Sequence, residues 1–215
     1  MDAGLFGGTF NPLHNGHLGV ISHIQKKFRL GKVFLFPSAT PPHKSSKNLA
    51  PAQARFAMVK QSVQGIDGLE ASDIELHRRG PSFTIDTITA FQKKLAPGTR
   101  CFLIMGSDAF WDIPTWKATH EILQATPLIV MLRGEKADIP AFTRFIEEHV
   151  AKGYTFEEKG TLFSHPELNT IHICSVPAID ISSTLIRDRI QRGQSIKELV
   201  PAPVERLILK EDLYT

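Results

Sequence analysis

The chain has 215 residues, 42% of them hydrophobic and 22% charged, with a formal net charge of +3. That length can bury one sizeable core, and a single domain spanning residues 1–215 is expected. So small a net charge argues against a nucleic-acid partner. No run reaches the ~18 apolar residues of a membrane span, and no basic region followed by an apolar stretch opens the chain. Cys101 and Cys174 lie in apolar runs outside any C-x-x-C pair, which reads as buried reduced thiols and a cytoplasmic setting.

Five apolar runs follow one another: Ala3 to Phe6, Val33 to Phe36, Cys101 to Met105, Leu128 to Leu132 and Ile171 to Val176. Most are continuously apolar, the pattern of strands covered on both faces; His172 and Ser175 interrupt the last. Helical spacing lies between them, in Ile21, Ile24 and Phe28, in Phe56, Val59 and Val63, and in Phe142, Phe145, Ile146 and Val150. Val204, Leu207 and Ile208 predict a closing helix with Pro203 near its start. Strands alternating with helices predict an α/β fold, a Rossmann-like doubly wound parallel sheet. Residues 37–50 and 153–169 read as long loops. Ligands of such sheets bind beyond the carboxyl ends of the strands, so the polar residues that follow each strand are the candidates.

After the first run the chain reads GGTFNPLHNGHLGV. Gly7 and Gly8 permit a tight turn and a close approach of backbone to a ligand. A helix is expected to begin near His14 or Asn15, and its free N–H groups suit phosphate. His14 and His17, three apart, share the face of Ile21, Ile24 and Phe28, so both imidazoles crown the buried stripe and can donate to a phosphate oxygen. The spacing is neither G-x-G-x-x-G nor G-x-x-x-x-G-K-[ST], and a zinc reading lacks the glutamate of H-E-x-x-H and a third ligand. Far downstream stands IDISSTLIRDRI. Ser182, Ser183 and Thr184 are natural helix caps, and Arg187 lies one turn beyond Ser183, which makes a second anion site or an ordinary cap with a surface arginine.

Both strings resemble the signatures of the nucleotidyltransferase superfamily with a histidine-x-glycine-histidine motif. The resemblance implies that Gly7, Gly8, Thr9, Phe10, His14, His17, Ile181, Ser182, Ser183 and Arg187 hold the triphosphate of ATP. The middle of the chain bears on the acceptor. FPSATPPHK places His43 and Lys44 after the second apolar run, where Lys44 binds a phosphate or is a solvated loop lysine. In RRGPSFTIDTI, Ser82 or Thr84 starts a helix whose amides can hold a carboxylate or which is simply capped. In IMGSDAFWDIPTWK, Gly106 allows close approach, Asp108 accepts from ribose hydroxyls or caps a turn, and Trp116 stacks on a base or packs. Arg133 directly follows Leu128 to Leu132.

Together PPHK, PSFTIDT, GSDAFWDIPTW, Arg133 and ISSTLIR resemble the bacterial nicotinate-nucleotide adenylyltransferase family, over nearly the whole chain. That resemblance implies transfer of the adenylyl group of ATP to nicotinate mononucleotide, with His14, His17, Lys44 and Arg187 in the catalytic set and Mg²⁺ bridging substrate phosphates. It places Thr84 and nearby amides at the nicotinate carboxylate, Trp116 on the pyridine ring and Asp108 at ribose, with Lys44, Ser82, Phe83 and Arg133 also lining the acceptor and Gly106 and Asp108 also near ATP. Phe83, where relatives usually carry tyrosine, and Lys117, where some carry an aromatic residue, depart from the pattern. Alternatives are a pantetheine-phosphate or nicotinamide-mononucleotide acceptor, or a non-catalytic nucleotide sensor. Oligomeric state is not legible in the sequence.

Overall fold

The computed structural model describes residues 1–40, 48–78, 80–134 and 137–215. Its strands are β1 (Asp2–Gly8), β2 (Lys32–Pro37), β3 (Leu69–Ala71), β4 (Arg100–Gly106), β5 (Leu128–Arg133), β6 (Thr155–Glu157), β7 (Leu162–Ser164) and β8 (Ile171–Val176). Its α-helices are α1 (Asn15–Lys27), α2 (Ala52–Val63), α3 (Thr84–Lys94), α4 (Ser107–Trp111), α5 (Thr119–Ala125), α6 (Ile139–Phe145), α7 (Ser183–Gln191) and α8 (Ala202–Lys210). These residues gather into two compact units, one of Met1–Phe6 and Phe83–Ala178, the other of Gly7–Ser82 and Ile179–Thr215.

In the first unit β4 pairs in parallel with residues 2–6 of β1 and with β5, and β5 pairs in parallel with β8. Leu128, Ile129, Val130, Ile171 and Cys174 are fully buried, as strands covered on both faces must be. Each of these Leu, Ile and Val side chains contributes roughly 1.5–3 kcal/mol of burial. Cys101 and Cys174 are both buried, and neither is in a disulfide. The stretch 153–169, read from sequence as a loop, contains β6 and β7, which pair antiparallel and continue onto β8. Three-residue strands are too short to show a period, and the pair is held by Phe156 opposite Phe163, with ring centroids 5.1 Å apart. The helical pattern around Phe142 is α6 followed by a π-helical turn at Ile146–Val150.

In the second unit β2 and β3 pair in parallel, and α2 packs on both. Ile21 and Ile24 of α1 are fully buried, as their spacing predicted. The closing helix is α8, with Pro203 in its first turn. Val204, Leu207 and Ile208 join Met58 of α2 and Ile186 of α7 in one apolar cluster. The chain's last helix is thereby fastened to the helix that carries the second signature.

Candidate active site

The GGTFNPLHNGH segment owes its course to packing. A side chain at Gly7 would bring its Cβ to 2.6 Å from the Phe36 ring, and one at Gly8 to 3.0 Å from the Phe10 ring. The Phe36 ring thus leaves no room for a side chain at Gly7, the Phe10 ring leaves little at Gly8, and the left-handed turn falls at Phe10 (φ 48°). Asn11 is the knot of the loop. Its Nδ2 donates to Asn48 O at 2.8 Å, and its Oδ1 accepts from the Ala50 amide and from the Tyr214 hydroxyl, both at 2.9 Å.

His14 is the N-cap of α1 and is 5% exposed. Its carbonyl accepts from the amides of His17 and Leu18, and its own amide donates to His17 Nδ1 at 3.2 Å. Because Nδ1 accepts, the neutral His17 ring carries its proton on Nε2 and donates from there. The two imidazoles stack with centroids 3.6 Å apart and planes 29° apart, and the Phe10 ring meets His17 edge-on at 5.2 Å. No acidic residue lies in the first turn of α1, so nothing there opposes an anion.

The second signature folds onto this loop. Ser182 is the N-cap of α7, its hydroxyl accepting from the Leu185 amide at 3.1 Å. Ser183 Oγ donates to Pro12 O at 3.0 Å, and Arg187 Nη1 donates to Asn11 O at 2.9 Å and Nη2 to Thr184 Oγ1 at 3.2 Å. Ile181 sits against the start of α1, where a Cβ at Gly16 would lie 3.5 Å from its carbonyl oxygen. The first turn of α7 is also free of acidic residues. Gly7, Gly8, Thr9, Phe10, His14, His17, Ile181, Ser182, Ser183 and Arg187 all belong to this one unit. Two helix starts with imidazole, hydroxyl and guanidinium donors therefore converge on the Phe10–Pro12 turn, a chemistry suited to a chain of phosphates.

Lys44, with His43, lies outside the described residues. Ser82 is not the start of a helix; its hydroxyl accepts from the Ala39 amide at 3.1 Å and the Thr40 amide at 3.4 Å, holding the end of the β2 loop. The helix starts at Thr84 with Phe83 as N-cap, and no side chain caps its first amides. Phe83 and Lys117 touch each other. Lys117 Nζ stands 4.6 Å from the Phe83 ring centroid and 3.5 Å from Asp86 Oδ2 in the first turn of α3.

Gly106 precedes α4, and the Asp108 carboxylate folds back so closely that a side chain at Gly106 would collide with Oδ1. Asp108 itself is exposed. Trp116 is half-buried and ends the 3₁₀ turn Ile113–Thr115, with its amide donating to Ile113 O at 3.0 Å. Arg133 is exposed at the end of β5, level with Val176 of β8. Thr84, Asp108, Trp116 and Arg133 belong to the first unit. Among the described residues, no group of three or more His, Cys, Asp or Glu side chains could hold a metal ion, and no helix is long and apolar enough to cross a membrane.

Sequence reasoning passed over Asn11, Arg55 and Tyr214. The signal for Arg55 was present: it stands three, four and seven residues before Met58, Val59 and Ser62, on the stripe that α2 buries.

Residues 5–189 match the family model described as cytidylyltransferase-like. The chain is thus a nucleotidyltransferase built on an α/β fold. It is 39% identical to the "Probable nicotinate-nucleotide adenylyltransferase" of Desulfatibacillum aliphaticivorans, over 100% of both chains. It is 36% identical to the protein of the same name from Trichlorobacter lovleyi, over 100% of this chain and 99% of that one. The solved structure titled "Plasmodium falciparum nicotinic acid mononucleotide adenylyltransferase complexed with NaAD" aligns over 99% of this chain and 97% of that one, with a TM-score of 0.73 at 19% identity. The same enzyme complexed with APC aligns over 99% and 96%, with a TM-score of 0.71 at 18% identity. These two likenesses bear on the fold, which is the Rossmann-like one expected. The chain belongs to the cytidylyltransferase-like family and, within it, to the nicotinate-nucleotide adenylyltransferases.

Proposed function

We propose that this protein transfers the adenylyl group of ATP to nicotinate mononucleotide, giving deamido-NAD and pyrophosphate, and so serves NAD biosynthesis. The observation that carries the reading is the joining of both signatures at one turn, through Ser183 to Pro12 O and Arg187 to Asn11 O. The names of its relatives supply the acceptor. Residues 1–215 act as one nucleotidyltransferase domain, a reading supported by a family match that runs through both units. Its two buried cysteines, neither in a disulfide, fit a reducing cytoplasm.

An oxygen of the acceptor's phosphate attacks the α-phosphorus of ATP, the bond from that phosphorus to the bridging oxygen breaks, and pyrophosphate leaves with the electron pair. The attacking monoester is already ionised near neutral pH, so no general base is required. Catalysis rests on alignment and on neutralising charge that shifts towards the leaving group. His17, through Nε2–H, and His14 serve the α-phosphate; Gly7, Gly8, Thr9 and Phe10 supply backbone. Ile181, Ser182, Ser183 and Arg187 serve the outer phosphates, Arg187 with the guanidinium donors its two bonds leave over. Lys44 adds charge near a phosphate. The first-turn amides of α3, with Thr84 and Phe83, take the nicotinate carboxylate, Trp116 stacks on the pyridine ring, Gly106 and Asp108 take ribose hydroxyls, and Arg133 lies at the acceptor edge. Ser82 contributes by fixing the β2 loop end.

Mg²⁺ fits as a cation carried chiefly by substrate phosphates and water, since the described residues offer no ligand cluster of their own. When bound, it neutralises phosphate charge. The deciding experiment is pyrophosphate release from ATP with nicotinate mononucleotide, nicotinamide mononucleotide and phosphopantetheine in parallel. Release with the first far above the others is the expected result; release with none sinks the assignment.

A further inference from the structure

Arg55, in the first half of α2, is 1% exposed, the interior of the protein being an unusual place for a guanidinium. Its Nε donates to Ala50 O at 3.0 Å, Nη1 to Thr9 O at 2.8 Å and Nη2 to Ala39 O at 3.3 Å. The acceptors come from separate stretches of chain. Thr9 belongs to the first signature, while Ala39 and Ala50 stand at either end of the stretch 40–49, which includes Lys44 in sequence. All three are neutral carbonyls; among the described residues no carboxylate forms an ion pair with the group, and Glu75 and Tyr214 raise its pKa through space. Burial lowers its pKa, yet a guanidinium keeps its proton. A buried charge without a direct counter-ion is a poor way to gain stability, because apolar side chains fill the same volume at lower cost.

We propose that Arg55 is a positioning residue for adenylyl transfer: it locks the Thr9 backbone in register with Ala39 and Ala50, and holds a fixed positive charge behind the nucleotide loop. This rests on the adenylyl-transfer reading above. Arg55 does not touch substrate; it acts through the carbonyls it holds. Only a planar fork reaches three acceptors in three directions, so the ammonium of lysine preserves the charge and loses the register. The loss falls on alignment in the transition state, where a misplacement of about 1 Å costs roughly 10²-fold in rate.

The test is steady-state pyrophosphate release from ATP and nicotinate mononucleotide by the full-length wild type, Arg55→Lys and Arg55→Gln, with thermal unfolding of each. The expected result is a folded Arg55→Lys protein whose kcat is about 10²-fold lower while both KM values move less than about threefold, the mark of an interaction needed in the transition state. A folded variant with wild-type kcat and only a lower unfolding temperature overturns the proposal, as does failure of both variants to fold even in the cold, which would make Arg55 a stability residue. An inactive wild type removes the adenylyl-transfer reading itself and the proposal with it. An active wild type with indifferent variants removes only the role of Arg55.

Discussion

The hydroxyl of Tyr214, the penultimate residue, donates to Oδ1 of Asn11 at 2.9 Å, a bond that spans 203 positions of sequence. Burial raises the Tyr214 pKa, so the hydroxyl keeps its proton and stays a donor throughout the working range. The end of the chain is thereby tied to the turn at which both signatures meet. Tyr214→Phe removes one of two donors to Oδ1 and should cost about 1 kcal/mol. Asn11→Ala orphans the Ala50 amide, the Asn48 carbonyl and the Tyr214 hydroxyl together, and should cost about 2–3 kcal/mol with a clear fall in turnover. Denaturant unfolding and kcat measured on both variants check the order; equal losses would remove Asn11 as the centre of the network.

The bond from the His14 amide to His17 Nδ1 sets an asymmetry within one imidazole. Asparagine at 17 can still accept from that amide but has no donor at the position of Nε2. Glutamine reaches the position of Nε2. His17→Asn should lower kcat by about 10²-fold, the scale of a lost electrostatic stabiliser, and His17→Gln by clearly less. The reverse order would mean that His17 acts by holding the helix start rather than by meeting phosphate.

Trp116→Ala should raise the KM for nicotinate mononucleotide by about five- to tenfold, a stacking loss of about 1–1.5 kcal/mol, and leave the KM for ATP nearly unchanged. Lys117→Ala frees Asp86 beside the amides of α3, and should weaken the acid acceptor more than the amide. Initial rates with both mononucleotides decide the matter: equal changes for ATP and acceptor would place Trp116 in packing alone.

His172 on β8 has its pKa lowered, first by burial and then by the Arg100 charge. The folded state therefore binds this proton less readily than the unfolded state, so stability is complete above the unfolded value of 6.5 and is lost as pH falls below it. His172→Gln should flatten the stability profile on that acid side. Thermal midpoints between about pH 5 and 8 provide the measurement, and parallel profiles for variant and wild type would dismiss the assignment.

Much of the molecule was legible in the amino-acid order because the relevant physics is local. Five apolar runs, most of them continuous, announced the strands β1, β2, β4, β5 and β8, and the period of Ile21 and Ile24 announced the buried face of α1. Ser182 stood where a cap belongs, and the two signatures identified a phosphate-handling protein. Three-residue strands such as β6 and β7 carry no period, so their hairpin read as loop. Ser82 and Thr84 both looked like a helix start, and the helix begins at Thr84; the partners that hold Ser82, Ala39 and Thr40, are some forty positions away and leave no mark nearby.

What the sequence by itself determined is the class of chemistry: imidazoles at one helix start, hydroxyls and a guanidinium at another, in a chain whose apolar runs alternate with helices. Only the tertiary structure decided how those groups are held. Gly7 has no room for a side chain because the Phe36 ring lies across it, and Arg187 and Ser183 reach back to the carbonyls of Asn11 and Pro12. Arg55 reaches the carbonyl of Thr9 and Tyr214 the side chain of Asn11, in the same loop, from positions far along the chain. The physical reason is that hydrogen bonds between residues distant in sequence, most of them here to backbone carbonyls, depend on the fold rather than on neighbours along the chain. They form wherever the folded chain brings a donor within reach, and no residue letter records them in advance.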